Sequence, residues 1–258
     1  MKPYVQAYLE NRPLFYAFIR PQEALLFHRQ LSLIKSPILD FGCGDGFFAH
    51  LVFGPRSIDV GLDLAQSRIR ETKDWPAYKK TVVYDGRTLP FPDQHFQTVI
   101  SNCVFEHLSD LNQNLAEIHR ILKPGGHLIT TVATDRYEDF LLGSRLLGEP
   151  YRRYFRRQQV HLNLFSKSKW QTAFTKAGFQ TLICTGYFGS KLVKHAEVSH
   201  FLAIPSLVSY RLWQTWILYP NWYRPFHLDR YITGLFARDS AKTAAANAGG
   251  LFWVLEKN

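Results

Sequence analysis

Long apolar runs are missing from this 258-residue chain. No stretch reaches the roughly 18 consecutive apolar residues that a membrane-spanning helix needs. Cysteine is scarce: Cys43, Cys103 and Cys184 are scattered and odd in number. They show neither metal-ligand spacing nor a disulfide framework, so a zinc-stapled or disulfide-stapled fold is excluded and a reducing, cytoplasmic setting is expected. The opening residues Met1-Lys2-Pro3-Tyr4 carry no secretory pattern. Internal repeats are absent, which excludes a solenoid. Acidic residues are the scarcer charge, 21 against 31 basic ones, leaving a formal net charge of +10. That sign suits nucleic acid, an anionic membrane surface or an acidic substrate; a basic but unspecialised surface is the plain alternative.

What is present is a globular composition, 46% hydrophobic and 20% charged, in one large domain or two small ones. Residues 4–34 carry aromatic and aliphatic side chains at near-helical spacing, with Pro21 fitting the first turn of a second helix. Apolar strands are expected at 37–41, 58–64, 80–84, 96–102, 127–132, 179–184 and 250–255. Helices are expected at 111–122, before the turn Lys123-Pro124-Gly125-Gly126, and at 166–177, between an N-cap Ser166 and a stop at Gly178. Strands alternating with helices imply right-handed crossovers and a doubly wound, mostly parallel α/β sheet. About 60 residues separate the last two strands, too many for a structureless loop in a compact domain. They are rich in aromatics, and 241–250 reads as a flexible return.

The chemistry concentrates at Leu39-Asp40-Phe41-Gly42-Cys43-Gly44-Asp45-Gly46-Phe47-Phe48. An apolar strand turns on three glycines into the start of a helix, the setting for a nucleoside-bearing cofactor. The third glycine comes one residue earlier than in the dinucleotide fingerprint G-x-G-x-x-G, which argues against a nicotinamide dehydrogenase. Asp40, at the strand end, repels a pyrophosphate and welcomes a cation. Asp63 ends the second strand, where a carboxylate accepts from two ribose hydroxyls. Asp85 follows the third, where it accepts from an adenine amino group, and Gly86 leaves its N–H open to the ring. Cys43 reads as a small turn residue offering backbone, not as a nucleophile.

These segments together resemble a class I S-adenosylmethionine-dependent methyltransferase of the small-molecule, type 11-like group. The matching blocks are 39–46, Gly-Leu-Asp at 61–63, Asp-Gly-Arg-Thr-Leu-Pro-Phe-Pro-Asp at 85–93, Ser-Asn-Cys-Val-Phe-Glu-His-Leu at 101–108 and Ile-His-Arg-Ile-Leu-Lys-Pro-Gly-Gly at 118–126. The resemblance covers residues 37–184 and the terminal strand. It implies a Rossmann-like sheet of seven strands whose last strand is antiparallel and inserted. It also implies S-adenosyl-L-methionine held by Asp40, Gly42, Cys43, Gly44, Gly46, Asp63, Leu64, Asp85, Gly86 and Asn102. One departure is Phe96-Gln97 where the family has Phe-Asp, a carboxylate with a mainly structural role. The expected division is an N-terminal helical cap (1–35), a core (36–186), an aromatic helical insertion or lid (187–246) and the terminal strand (247–258).

Acceptor residues are less sharply marked. In the family, the segment holding Glu106-His107 lies near the methionine end of the cofactor, and a His followed by a helix-capping Ser, here His161 and Ser166, lies near the acceptor pocket. His161 and His107 are therefore the candidate bases or acceptor-positioning groups, with packing, capping or solvated roles as alternatives. Tyr151-Arg-Arg-Tyr-Phe-Arg-Arg157 suits phosphate contact with RNA or lipid, or is a solvated helix face. Residues 201–226 have the Trp, Tyr and Arg composition of a membrane interface, or form a lid walling the pocket. The expected acceptor is a small hydrophobic or amphiphilic molecule, quinone-like, lipid or lipid-linked glycan. The expected location is cytoplasmic, including the inner membrane face. An RNA methyltransferase and a noncatalytic cofactor-binding protein of the same fold are the alternatives, and nothing in the sequence bears on oligomeric state.

Overall fold

The computed structural model describes residues 1–218, 221–240 and 244–258. Two short segments therefore lie outside the described residues: 219–220 of the aromatic stretch and 241–243 of the expected return. Seven strands form one sheet: β1 (Ile38–Phe41), β2 (Ile58–Leu64), β3 (Tyr78–Tyr84), β4 (Phe96–Asn102), β5 (Leu122–Ala133), β6 (Phe179–Tyr187) and β7 (Gly250–Lys257). Their spatial order is β3-β2-β1-β4-β5-β7-β6. The first five are parallel, and β7 enters antiparallel between β5 and β6. The central strands are largely apolar because helices cover both faces: all four residues of β1 are buried, Asp40 among them. The edge strand β3 instead carries exposed Lys79, Lys80 and Thr81, which discourages pairing with another chain.

The helices are α1 (Lys2–Asn11), α2 (Arg20–His28), α3 (Phe47–Phe53), α4 (Leu111–Ile121), α5 (Arg136–Phe140), α6 (Leu142–Leu147), α7 (Glu149–Gln159), α8 (Lys167–Lys176), α9 (Ser190–Leu202), α10 (Ile204–Trp213) and α11 (Leu228–Ser240). Helix α4 buries Leu111, Leu115, Ile118 and Ile121 at helical spacing, and its N-cap Asp110 accepts from Gln113 N at 3.1 Å. Ser166 caps α8 in the same way through Lys169 N. Two buried clusters result, divided by the sheet. Trp170, Phe174 and Trp253 pack in one of them, each side chain contributing about 3 kcal/mol by leaving water.

Two expectations change in detail. The Lys123–Gly126 turn does not precede β5 but lies within it, as an excursion between Leu122 and His127 where the register with β4 shifts. Gln97 spans the same place, its Nε2 donating to Gly125 O at 3.4 Å. Tyr187, placed by the expected boundaries in the insertion, is the last residue of β6. The insertion itself is helical, comprising α9, α10 and α11.

Candidate active site

The glycine turn sits at the carboxyl end of β1, where open α/β sheets bind ligands. Gly42, Gly44 and Gly46 all have positive φ, at 79°, 54° and 80°. Two of them are also needed for space. A Cβ on Gly42 would stand 2.4 Å from Val104, and one on Gly46 would stand 3.1 Å from Trp75 O. Gly44 differs, because a Cβ there meets nothing within 4 Å. Its side-chain direction is empty space in a cavity of about 340 Å³.

That cavity is lined by Asp40, Gly42, Cys43, Gly44 and Asn102, and equally by residues of the N-terminal helices: Tyr8, Arg12, Tyr16 and Arg20. Asp40 is buried, and burial pushes its carboxyl up to about 7 although the Tyr78 hydroxyl donates to Oδ2 at 2.7 Å. The Tyr78 ring lies against Gly61, where a Cβ would be 2.9 Å away, which explains the glycine of Gly-Leu-Asp. A buried carboxyl with no cation partner among the described residues, beside an open cradle, fits a ligand that brings positive charge. Asp63 stabilises the turn: Oδ2 accepts from Gly44 N and Oδ1 from Leu64 N, both at 2.7 Å. Asp85 is exposed and accepts from Arg87 N at 2.9 Å and Thr88 N at 3.3 Å. Gly86 lies beside Leu64. Thus Asp63, Leu64, Asp85, Gly86 and Gly46 frame the turn and adjacent strand ends, whereas Asp40, Gly42, Cys43, Gly44 and Asn102 form the cavity wall itself. Burial and the nearby Asp40 carboxyl raise the Cys43 thiol far above the usual range, which leaves it inert.

The arginines of the cap are built in, not merely near. Arg12 donates to Asp45 at 2.8 Å and lies 4.1 Å above the Phe47 ring. Arg68 reaches the same Asp45 carboxylate at 2.9 Å. Glu23, fully buried on α2, accepts from Arg20 at 2.8 Å, Asn102 Nδ2 at 3.0 Å and the Tyr187 hydroxyl at 3.0 Å. The Cys103 thiol lies 3.2 Å from it. This carboxylate ties the cap to β4 and β6. Sequence motifs mark none of these cap residues as part of a site. Their signal was charge placed within an apolar helical pattern: Arg12, Arg20 and Glu23.

Arg20 also borders a second cavity, lined by Glu23, Cys103, Glu106, His107, Tyr137 and His161 among others. The two candidate histidines, 54 positions apart, meet here with ring centroids 5.3 Å apart. Backbone bonds bring them together: Leu162 N and Asn163 N donate to Glu106 O at 2.8 and 3.0 Å. Asn163 Nδ2 adds bonds to Phe105 O and Leu108 O. His107 Nδ1 engages Val160 O at 3.1 Å. His161 Nδ1 is buried without a partner, and burial with the neighbouring His107 lowers its pKa to about 3, so the ring is neutral. Glu106 is buried with one unpartnered oxygen, and burial raises its pKa. A neutral imidazole and a reluctant carboxylate make this a pocket for hydrogen bonding more than for strong base catalysis. Among the described residues no cluster could hold a metal ion.

A family model described as a methyltransferase domain matches residues 39–130. A malonyl-[acyl-carrier protein] O-methyltransferase of Paenibacillus sp. (strain JDR-2) is 30% identical over 159 residues, covering 57% of this chain and 56% of its own length. A tRNA (carboxymethyluridine(34)-5-O)-methyltransferase of Arabidopsis thaliana is 33% identical over 107 residues, 40% of this chain and 26% of that protein. The chain thus spans little more than half the length of these relatives at most. A solved structure of a SAM-dependent methyltransferase from Thermotoga maritima aligns with a TM-score of 0.56 at 16% identity, over 94% of this chain and 93% of the other. That likeness speaks for the fold alone. Motif order and sheet order agree: residues 39–130 match a methyltransferase domain, and the sheet over the whole chain has the fold of solved S-adenosylmethionine-dependent methyltransferases.

Proposed function

We propose that this chain transfers a methyl group from S-adenosylmethionine to a small, amphiphilic acceptor. The observation that carries the reading is Arg20, which borders both the cavity at Asp40 and the cavity at His161. A donor held in the first faces an acceptor held in the second. When bound, the cofactor supplies an electrophilic methyl on a sulfonium, open to in-line displacement. Asp40 holds the cofactor's ammonium group, the turn Gly42–Gly46 and Asn102 hold its methionine end, Asp63 its ribose, and Leu64, Asp85 and Gly86 its adenine. Helices α1 and α2 are the cap over it, and α9 and α11 of the insertion pack on that N-terminal segment, while the second cavity is bordered by Tyr187 and Phe188 just before the insertion. Alignment and exclusion of water then carry most of the catalytic effect.

His161, neutral and with Nδ1 free, hydrogen-bonds the acceptor, and the stacked His107 holds its ring plane. The acceptor that suits so weak a base is one already carrying its charge or a soft nucleophile. Tyr137, Phe188 and Ile19 supply apolar wall around these polar groups. A malonyl-[acyl-carrier protein] methyltransferase among the relatives is consistent with an acyl-bearing acceptor. An amphiphilic acceptor is delivered from a lipid surface or a carrier. Three unpaired cysteines agree with a cytoplasmic site of action.

RNA as acceptor has one supporting observation, the tRNA-methylating relative. The arginine run on α7 supports it less than its sequence suggests, because Arg152 pairs with Asp139 at 3.0 Å and Arg156 donates to Glu138 at 2.6 Å. The test is incubation of a cell extract with the chain and methyl-labelled cofactor, followed by partition into organic, small-molecule and RNA fractions. Label in the organic or small-molecule fraction is the expected result. Label confined to RNA overturns the acceptor class, and no transfer despite cofactor binding leaves a noncatalytic binder.

A further inference from the structure

Helix α10 is built inside out. Ser206 and Ser209 face the protein, 7% and 8% exposed, while Val208, Leu212 and Trp213 face outward, 49%, 62% and 70% exposed. The inward serines are satisfied locally: the Ser206 hydroxyl accepts from Ile217 N at 3.1 Å, and the Ser209 hydroxyl donates to Thr215 O at 2.9 Å. The outward residues Ile204, Val208 and Leu212 recur every four positions, one stripe along the helix. The end of α9 extends it with exposed Phe201 and Leu202. A helix facing water carries the reverse pattern, and isolated exposed apolar residues would not form a stripe.

The surroundings of the stripe are basic. Arg211 borders a groove in which Ile204 and Val208 face Tyr154 and Gln158 of α7. Arg153 and Arg157 of α7 are exposed, and among the described residues they have no ion-pair partner, unlike Arg152 and Arg156. On the other side, Leu202, Pro205, Ile217 and Trp222 line an apolar crevice of about 370 Å³ against Leu9 and Leu14 of the N-terminal segment. Outward aliphatics and Trp213 of α10, Arg211 on the same helix, unpaired guanidinium groups on the exposed side of α7 across the groove, and a crevice wide enough for hydrocarbon on the other flank adjoin one another around α10. Each feature matches one layer of an anionic bilayer surface: acyl chains, interface and phosphates.

We propose that this face, formed by α10 with the end of α9 and the free arginines of α7, docks the chain on an anionic lipid surface. It lies flat there, since no helix among the described residues is long and apolar enough to cross a membrane. The contact is apolar insertion helped by charge, so it needs both the stripe and the arginines. It is independent of the methyl-transfer reading, because binding is measured without turnover.

The test is co-sedimentation of the full chain with vesicles of phosphatidylcholine alone and of equimolar phosphatidylcholine and phosphatidylglycerol. The protein pellets with the anionic vesicles and stays in solution with the neutral ones. Val208→Ser with Leu212→Ser lowers partitioning about tenfold or more. Arg153→Gln, Arg157→Gln and Arg211→Gln together lower it about a hundredfold at low salt. Both variants keep their circular dichroism and their affinity for S-adenosylmethionine, since the altered side chains lie outside the cores and the cofactor cavity. Three outcomes overturn the proposal: wild type that ignores anionic vesicles, pelleting that is unchanged in the double serine variant, or a lipid-free dimer that the serine variant dissociates. The last outcome would assign the face to a second copy of the chain.

Discussion

At the level of single residues, Asp40 stands where its position in the sequence suggested, at the end of β1 on the wall of a cavity, in an environment the sequence did not show. The carboxyl is held up to about 7 by burial, with Tyr78 donating to it. An incoming ammonium favours the ionised form, so cofactor binding expels a proton at acidic pH. Affinity for S-adenosylmethionine therefore rises about eightfold from pH 6 to 7.5. Calorimetry in buffers of different ionisation heat reads both the affinity and the proton, and Asp40→Asn gives weaker, pH-independent binding. His161 bears on stability instead. Its pKa falls from 6.5 to about 3 on folding, so the unfolded chain binds the extra proton and the stabilising contribution is lost as pH falls below 6.5. Between pH 7.5 and 5 the loss is about 2 kcal/mol. Asp40 contributes with the opposite sign between 3.8 and about 7, so the comparison to make is wild type against His161→Gln, whose urea midpoint falls less over that interval. The three glycines were legible as a turn, but their separate reasons were not. Gly42→Ala meets Val104 and costs about 3 kcal/mol, whereas Gly44→Ala costs about 1 kcal/mol and acts mainly by intruding on the cofactor.

At the level of elements, strands and caps followed from local pattern. Burial leaves β1 and β7 mostly apolar and β4 apolar at Phe96, Val99 and Ile100, and Ser166 and Asp110 mark helix starts with their own side chains. What local pattern does not encode is which distant elements meet. Helices α1 and α2 read only as amphipathic, yet they bring Arg12, Arg20 and Glu23 to the strand ends 20 and more residues away. The loop from Asp85 to Asp93 is a second case. Arg120 of α4 donates to Leu89 O, Phe91 O and Asp93, and Glu117 accepts from Leu89 N. Arg120→Ala frees that loop and raises the cofactor dissociation constant about tenfold, with kcat little changed. Helix α10 is tied to the same cavity from the other side. Tyr210 donates to Glu71, and Arg68 of the cavity wall lies 4.6 Å beneath its ring. Tyr210→Ala weakens cofactor binding about fivefold in titrations.

At the level of the whole molecule, one cavity lies between a Rossmann-like sheet and the N-terminal helices, where the cofactor is proposed to bind, and a second lies between those helices and the loop of His161, the proposed acceptor side. The sheet was readable because four of the five ordered motifs fall at the ends of β1 to β4 and the fifth falls where α4 gives way to β5. The second cavity was not, because His107 and His161 belong to segments 54 positions apart that are joined by backbone bonds to Glu106 O and by the Asn163 and His107 side chains. Everything proposed for the acceptor depends first on the donor being S-adenosylmethionine. Titration of the intact chain with that cofactor, repeated in the presence of NAD⁺, tests this most directly. The account predicts one molecule bound per chain, with unchanged affinity when NAD⁺ is present. Absence of binding with the glycine turn intact, or displacement by NAD⁺, would contradict it.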